Sequence, residues 1–162
     1  MSKCYIGIDP GKKGYISWYE DKLCWKKIPT KFSDLYDLLH SIVYPYYTIV
    51  GLEKATAYRG QGARSINSYL IPFGALLGFL EILDCTIHLI PPRTWQSYFE
   101  IKSSIKVKKG LDKKERNKLK YRQRKELKEL SLKKAQEIWG VEVKDHNLAD
   151  SLLILKYVMD KY

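Results

Sequence analysis

The chain has 162 residues with 45% hydrophobic content, which suits one domain with its own core and leaves too little for two. Its formal net charge is +11; the start, "MSKCYIGIDPG", has no apolar signal-peptide core, and the longest apolar stretch, Leu70 to Leu83, is interrupted by Pro72, Gly74, Gly78 and Glu81 and is too short to cross a bilayer. Cys4, Cys24 and Cys85 are odd in number and form no CxxC pair, which argues against a disulfide framework or a cysteine zinc site and fits the cytoplasm or another reducing compartment.

Cys4 to Ile8 alternates apolar with small or polar residues as a strand does, and "DPGKKG" then turns the chain at once. Tyr15 to Tyr19 and Leu23 to Ile28 follow, with connections short enough for an antiparallel meander. Phe32 to Val43 carries apolar residues at Phe32, Leu35, Leu38, Leu39 and Ile42, the period of a helix. "YTIVGLE" reads as a buried strand ending at Glu53, before the polar loop "KATAYRGQGARS". Ile66 to Leu83 predicts a long helix whose weak point is Pro72. "CTIHLIPP" is a fifth strand closed by its prolines, and Arg93 to Phe99 a short helix. Leu111 to Trp139 predicts a charged helix that Gly140 stops, and Asp145 caps a last helix through Tyr157. This order predicts an α/β fold, a mixed five-stranded sheet flanked by helices, as a single domain over 1–162.

The charge is not spread evenly. Between Ile101 and Lys134 there are 15 Lys or Arg against 4 Asp or Glu, while the rest of the chain balances at 14 against 14. A solvated helix face usually mixes signs more evenly, so this basic helical segment or insertion, about 102–134, points to nucleic acid.

Three acids sit where apolar residues would suit the core better: Asp9 ends the first strand, Glu53 ends the fourth, and Asp150 interrupts "LADSLLIL". Such charges are costly to bury unless paired or bound to a cation. Mg²⁺ suits carboxylate oxygens, water and phosphate, and two such ions can activate a water and stabilise the leaving oxygen of a phosphodiester. His146 precedes Asp150 by four residues and shares its helix face, as a candidate ligand or proton carrier or as a plain surface histidine. Asp145 reads as the cap, and Asn147 is the spare polar candidate.

Together "GIDPGKKG", "GLEKATAYRGQGARS" with the helix after it, "IPPRTWQ" and "DHNLADSLLI" span most of the chain. In that order they resemble the RuvC-type Holliday junction resolvases of the ribonuclease H-like superfamily, nearest to the viral and mitochondrial branches. The resemblance implies a homodimer that uses two Mg²⁺ ions per site, or Mn²⁺, to cut opposing strands of a four-way DNA junction symmetrically. It places the catalytic, metal-binding acids on Asp9, Glu53 and Asp150. Where relatives carry another acid one turn before the last, this chain has His146 and Asn147.

Further implied DNA contacts are Lys12 and Lys13 beside Asp9, Arg59 and Arg64 after Glu53, Lys106, Lys108 and Lys109 in the basic segment, and Lys128, which matches a family lysine near the active site. Tyr58 stands near the relatives' aromatic wedge. Gly74 and Gly78 form a GxxxG pair, read either as helix-on-sheet packing or as the dimer interface. Trp95 reads as a packing residue. Two other functions use the same features: a related nuclease acting on RNA–DNA hybrids or other branched DNA, and a non-catalytic nucleic-acid-binding module in which the acids are structural.

Overall fold

Alternation along β1 (Cys4–Asp9) sends Cys4, Ile6 and Ile8 into one hydrophobic core and leaves Tyr5, Gly7 and Asp9 on the opposite face. The computed structural model describes residues 3–11, 13–54, 63–107 and 110–162, without the side chains of 63–66 and 68. The other strands are β2 (Tyr15–Tyr19), β3 (Leu23–Lys27), β4 (Thr48–Glu53) and β5 (Thr86–Ile90), and the sheet order is β3-β2-β1-β4-β5. The first three strands form the expected antiparallel meander, while β1, β4 and β5 run parallel.

Helices α1 (Phe32–Ile42) and α2 (Ala63–Ile82) cover one face, where Leu35, Leu39, Leu76 and Leu80 pack with Ile6, Ile8, Val50 and Leu52. On the other lie α3 (Pro92–Tyr98), α4 (Lys113–Trp139) and α5 (His146–Lys161), packed through Trp95, Ala135, Leu148, Leu152 and Ile154. The mixed α/β sheet flanked by helices is the fold class read from the sequence.

The seat of α5 is made by two glycines. Gly7 and Gly51 are partners in the β1–β4 register. A Cβ on Gly7 would collide with backbone atoms of Ser151 and Leu155, and one on Gly51 with the Val158 and Ile90 side chains. Without those carbons α5 lies directly on the sheet, pinned by the Ser17 hydroxyl, which donates to Ser151 O at 2.8 Å.

Several boundaries differ from the sequence reading. The third strand stops at Lys27, and Ile28 is instead buried below it, its N–H donating to Gly14 O at 2.9 Å. Helix α2 starts earlier than Ile66 and runs through Pro72, because burial of Leu76 and Leu80 outweighs one missing hydrogen bond. Pro92 opens α3, since proline is tolerated at the first helical position. The last helix passes Tyr157 to Lys161 because Val158 is still in the core. In the basic segment, 102–107 is not helical, and the helix begins at Lys113, where the Asp112 carboxylate accepts from the N–H groups of Lys114 and Glu115. Gly140, at φ 65, ends it as expected.

Among the described residues no helix is long and apolar enough to cross a membrane. The three cysteines are free.

Candidate active site

Because β1 and β4 are parallel and in register from Cys4/Thr48 to Ile8/Leu52, their last residues, Asp9 and Glu53, reach the same edge of the sheet. Each lies two residues beyond a glycine on which α5 is seated, and so on the face that α5 covers. Asp150 precedes Ser151, whose backbone meets Gly7, so α5 brings the third acid to the same end. Carboxyl ends of parallel strands are where open α/β sheets place their sites.

Charge couples these carboxylates: Asp9 acts on both Glu53 and Asp150, and Asp150 acts on Glu53. Asp9, 7% exposed, is pushed up to about 6, first by burial and further by Asp145, although the Gly11 N–H donates to Asp9 Oδ1 at 3.3 Å. Glu53 is pushed up to about 8 by burial and then by the charges of Asp9 and Asp150. Asp150 rises to about 7, by burial and then Asp9, against a hydrogen bond from Ser131 and the positive charge of Lys128. Perturbation by burial and like charge, converging from three elements, is characteristic of functional carboxylates.

Glu53 is held from the side. Trp95 Nε1 donates to Glu53 Oε2 at 3.0 Å and the Tyr69 hydroxyl reaches Oε1 at 3.5 Å. Trp95 is buried, as a packing residue should be, yet it also orients an acid. Its position follows from β5, which ends beside Glu53 in register with Ile90 and leads straight into α3.

Asp145 is the α5 cap, accepting from Asn147 N at 2.9 Å and from Asn147 Nδ2 at 3.0 Å, with a further hydrogen bond from Tyr15. Asn147 is thus occupied in the cap. His146 opens α5 with Nδ1 4.0 Å from Asp145 Oδ1. Burial, then Lys128 and Lys13, lower its pKa against the pull of Asp145. The imidazole is therefore biased towards its neutral form.

Lys13, in the β1–β2 turn, and Lys128, on α4, accordingly flank this end of the sheet. Lys128 also lines a cleft of about 190 Å³ with Asp150, Ser131, Gln96, Leu127 and Arg124. The sequence reading had missed Arg124 and Gln96; only their place on helices beside the site reveals them. Lys106 is exposed in the 102–107 stretch. Lys12, Tyr58, Arg59, Lys108 and Lys109 lie outside the described residues, as does the Arg64 side chain. A larger cavity of about 340 Å³, bounded by Gly11, Ile28, Pro29, Phe32, Ile71 and Pro72, is lined by no ionisable group among the described residues.

Among the described residues no group of three His, Cys, Asp or Glu side chains is arranged to hold a metal ion. The donor chemistry nevertheless fits a hard divalent cation. The three acids offer oxygen only, and a cation or protonation would relieve their mutual repulsion.

No protein-family model matches the chain, and no curated protein sequence does. Solved structures do: the chain is similar to Thermus thermophilus RuvC in complex with Holliday junction substrate, with TM-score 0.59 and 15% identity over 94% of this chain and 90% of that one. It is also similar to a second Thermus thermophilus RuvC structure, with TM-score 0.47 and 16% identity over the same shares. At this identity the first likeness shows the fold, that of RuvC.

Proposed function

We propose that the chain is a metal-dependent, structure-selective DNA endonuclease that resolves four-way junctions by paired symmetric nicks, acting as a homodimer. The observation that carries this reading is the meeting of Asp9, Glu53 and Asp150 at one end of the sheet, where Asp9 raises both other acids and Asp150 also raises Glu53, with Lys13 and Lys128 beside them. The fold shared with a protein solved on Holliday junction substrate supports the substrate class.

In this reading Asp9, Glu53 and Asp150 hold Mg²⁺ or Mn²⁺, two ions per site, and His146 is the fourth group. Bound there, the ions supply Lewis-acid charge and an activated water for phosphodiester hydrolysis. The protein's own contribution is orientation and charge. Trp95 and Tyr69 fix Glu53, and Ser131 fixes Asp150. Lys13 and Lys128 draw the phosphate backbone towards the acids. Neutral His146 has a free nitrogen lone pair with which to accept a proton.

The dimer reading rests on α2. Leu70, Gly74, Gly78 and Ile82, spaced at i+4, are all exposed, and among the described residues a Cβ on either glycine would meet nothing within 4 Å. The glycine pair therefore does not serve helix-on-sheet packing. An apolar stripe facing outward, with Ile82 71% exposed, suits a second copy related by two-fold symmetry.

The test is cleavage with Mg²⁺ of a synthetic four-way junction beside linear duplex, a Y-fork and an RNA–DNA hybrid. Cutting of the junction alone supports the resolvase; cutting of the hybrid or fork returns the choice to a related nuclease, and binding without metal-dependent cutting to a non-catalytic module.

A further inference from the structure

Helix α4 has two unlike halves. Its second half is seated on the body, and Ser131 and Ala135, its buried residues, face inward. Stepping back from them along the same face at helical spacing gives Lys128, Arg124, Tyr121, Asn117 and Lys114, every one exposed. The face that is core at one end thus runs on into solvent at the other. Its first exposed members, Lys128 and Arg124, line the cleft that holds Asp150.

Around Gln123 and Glu126 the opposite face of the helix is covered, while from Lys113 to Lys118 it is exposed. Glu126 accepts from Ser104 N at 3.0 Å and Ser104 Oγ at 2.7 Å as well as from Ser103 Oγ, and Gln123 Nε2 donates to Ile105 O at 3.0 Å. The 102–107 stretch is therefore a strap along the back of α4. Charge is sorted in the same way: none of the helix's glutamates, Glu115, Glu126, Glu129 and Glu137, falls on the bare stripe.

We infer that the bare face of α4 is a rail for one duplex arm of the DNA, running from the phosphate beside Asp150 outward to Lys114. This rests on the nuclease reading above and adds to it the place and direction of the arm. From Lys128 to Lys114 the helix rises about 21 Å, which matches about six base pairs of one strand. A rigid helix with spaced cations and a single aromatic, Tyr121, suits phosphates of a duplex; single-strand platforms stack successive bases on several aromatics. The strap holds the helix around Gln123 and Glu126 in place before DNA arrives, which lowers the ordering entropy that opposes binding there.

The experiment compares Lys114→Gln/Arg124→Gln with Lys118→Gln/Arg122→Gln, an equal loss of charge from the sides and back of the same arm. Junction affinity is measured by fluorescence anisotropy over a salt series, with all arms long or shortened to about four base pairs and closed by loops. Melting curves confirm that both variants fold. The rail predicts that wild type binds long arms at least tenfold more tightly than short ones, that the front variant loses this gain and about two units of salt slope, and that the back variant keeps both. Equal weakening by the two variants, or no advantage of long arms in wild type, would overturn the rail while leaving junction cleavage by wild type intact. Wild type that binds no junction at all would overturn the nuclease reading and the rail together.

Discussion

Trp95 Nε1 donates to Glu53 Oε2 at 3.0 Å, joining the residue that anchors α3 in the core to the acid at the end of β4. A buried aromatic thus fixes a carboxylate that burial and two neighbouring acids would otherwise discharge. Trp95→Phe keeps most of the packing and removes the donor. Cleavage should fall about tenfold while junction affinity stays within twofold, and urea unfolding should show a loss of about 1–2 kcal/mol. Unchanged cleavage would mean that the orientation of Glu53 does not matter to the chemistry.

The paired glycines under α5 make a sharper stability prediction. Gly51→Ala forces a methyl into Val158 and Ile90, and should cost about 1–3 kcal/mol in denaturant unfolding. Gly74→Ala, whose new carbon meets nothing within 4 Å, should stabilise the isolated fold by up to about 1 kcal/mol. If the α2 stripe is the dimer seam, sedimentation of Gly78→Glu should show a monomer where wild type shows a dimer.

Asp9, Glu53 and Asp150 all have folded pKa values above their ordinary ones, near 6, 8 and 7. The folded state therefore holds protons that the unfolded chain has released. The sign follows: the stability is present below about pH 4 and is lost as pH rises through 6 to 8. Without divalent cation the melting temperature should drop between pH 5 and pH 8.5, and Asp9→Asn should flatten the drop. Mg²⁺ should raise the melting temperature at pH 8 far more than at pH 5. A cation effect independent of pH, or absent, would separate the acids from metal binding.

Glu126 is the reverse case, held down to about 2 by hydrogen bonds from Ser103 and then Ser104. Glu126→Ala should release the strap, seen as faster tryptic cutting after Lys102 and Lys106 with the global melting temperature little changed. Equal cutting rates would mean that the strap is held by Gln123 and packing alone.

The meander, the flanking helices and the places of the three acids at element ends or in an apolar helix were legible because they rest on local signals: period-2 alternation, helical spacing and charge set against apolar runs. Asp145 was legible as a cap for the same reason. What depends on pairing between distant segments was not. Gly7 and Gly51 look like ordinary small residues until the register sets them side by side under α5. The indole of Trp95 shows its partner only once β5 lies beside β4. Likewise Ser103, Ser104 and Glu126 give no sign in sequence of the clasp that makes 102–107 a strap rather than helix.

The central claim is that Asp9 ends its strand in order to serve the cutting of DNA. The most direct measurement maps the cuts in a four-way junction, at nucleotide resolution, for wild type and Asp9→Asn with Mg²⁺, beside the junction affinity of each. Symmetric paired nicks by wild type, absent in the variant while its affinity is retained, are what the account predicts. Equal cutting by both proteins, or no cutting by wild type, would contradict it.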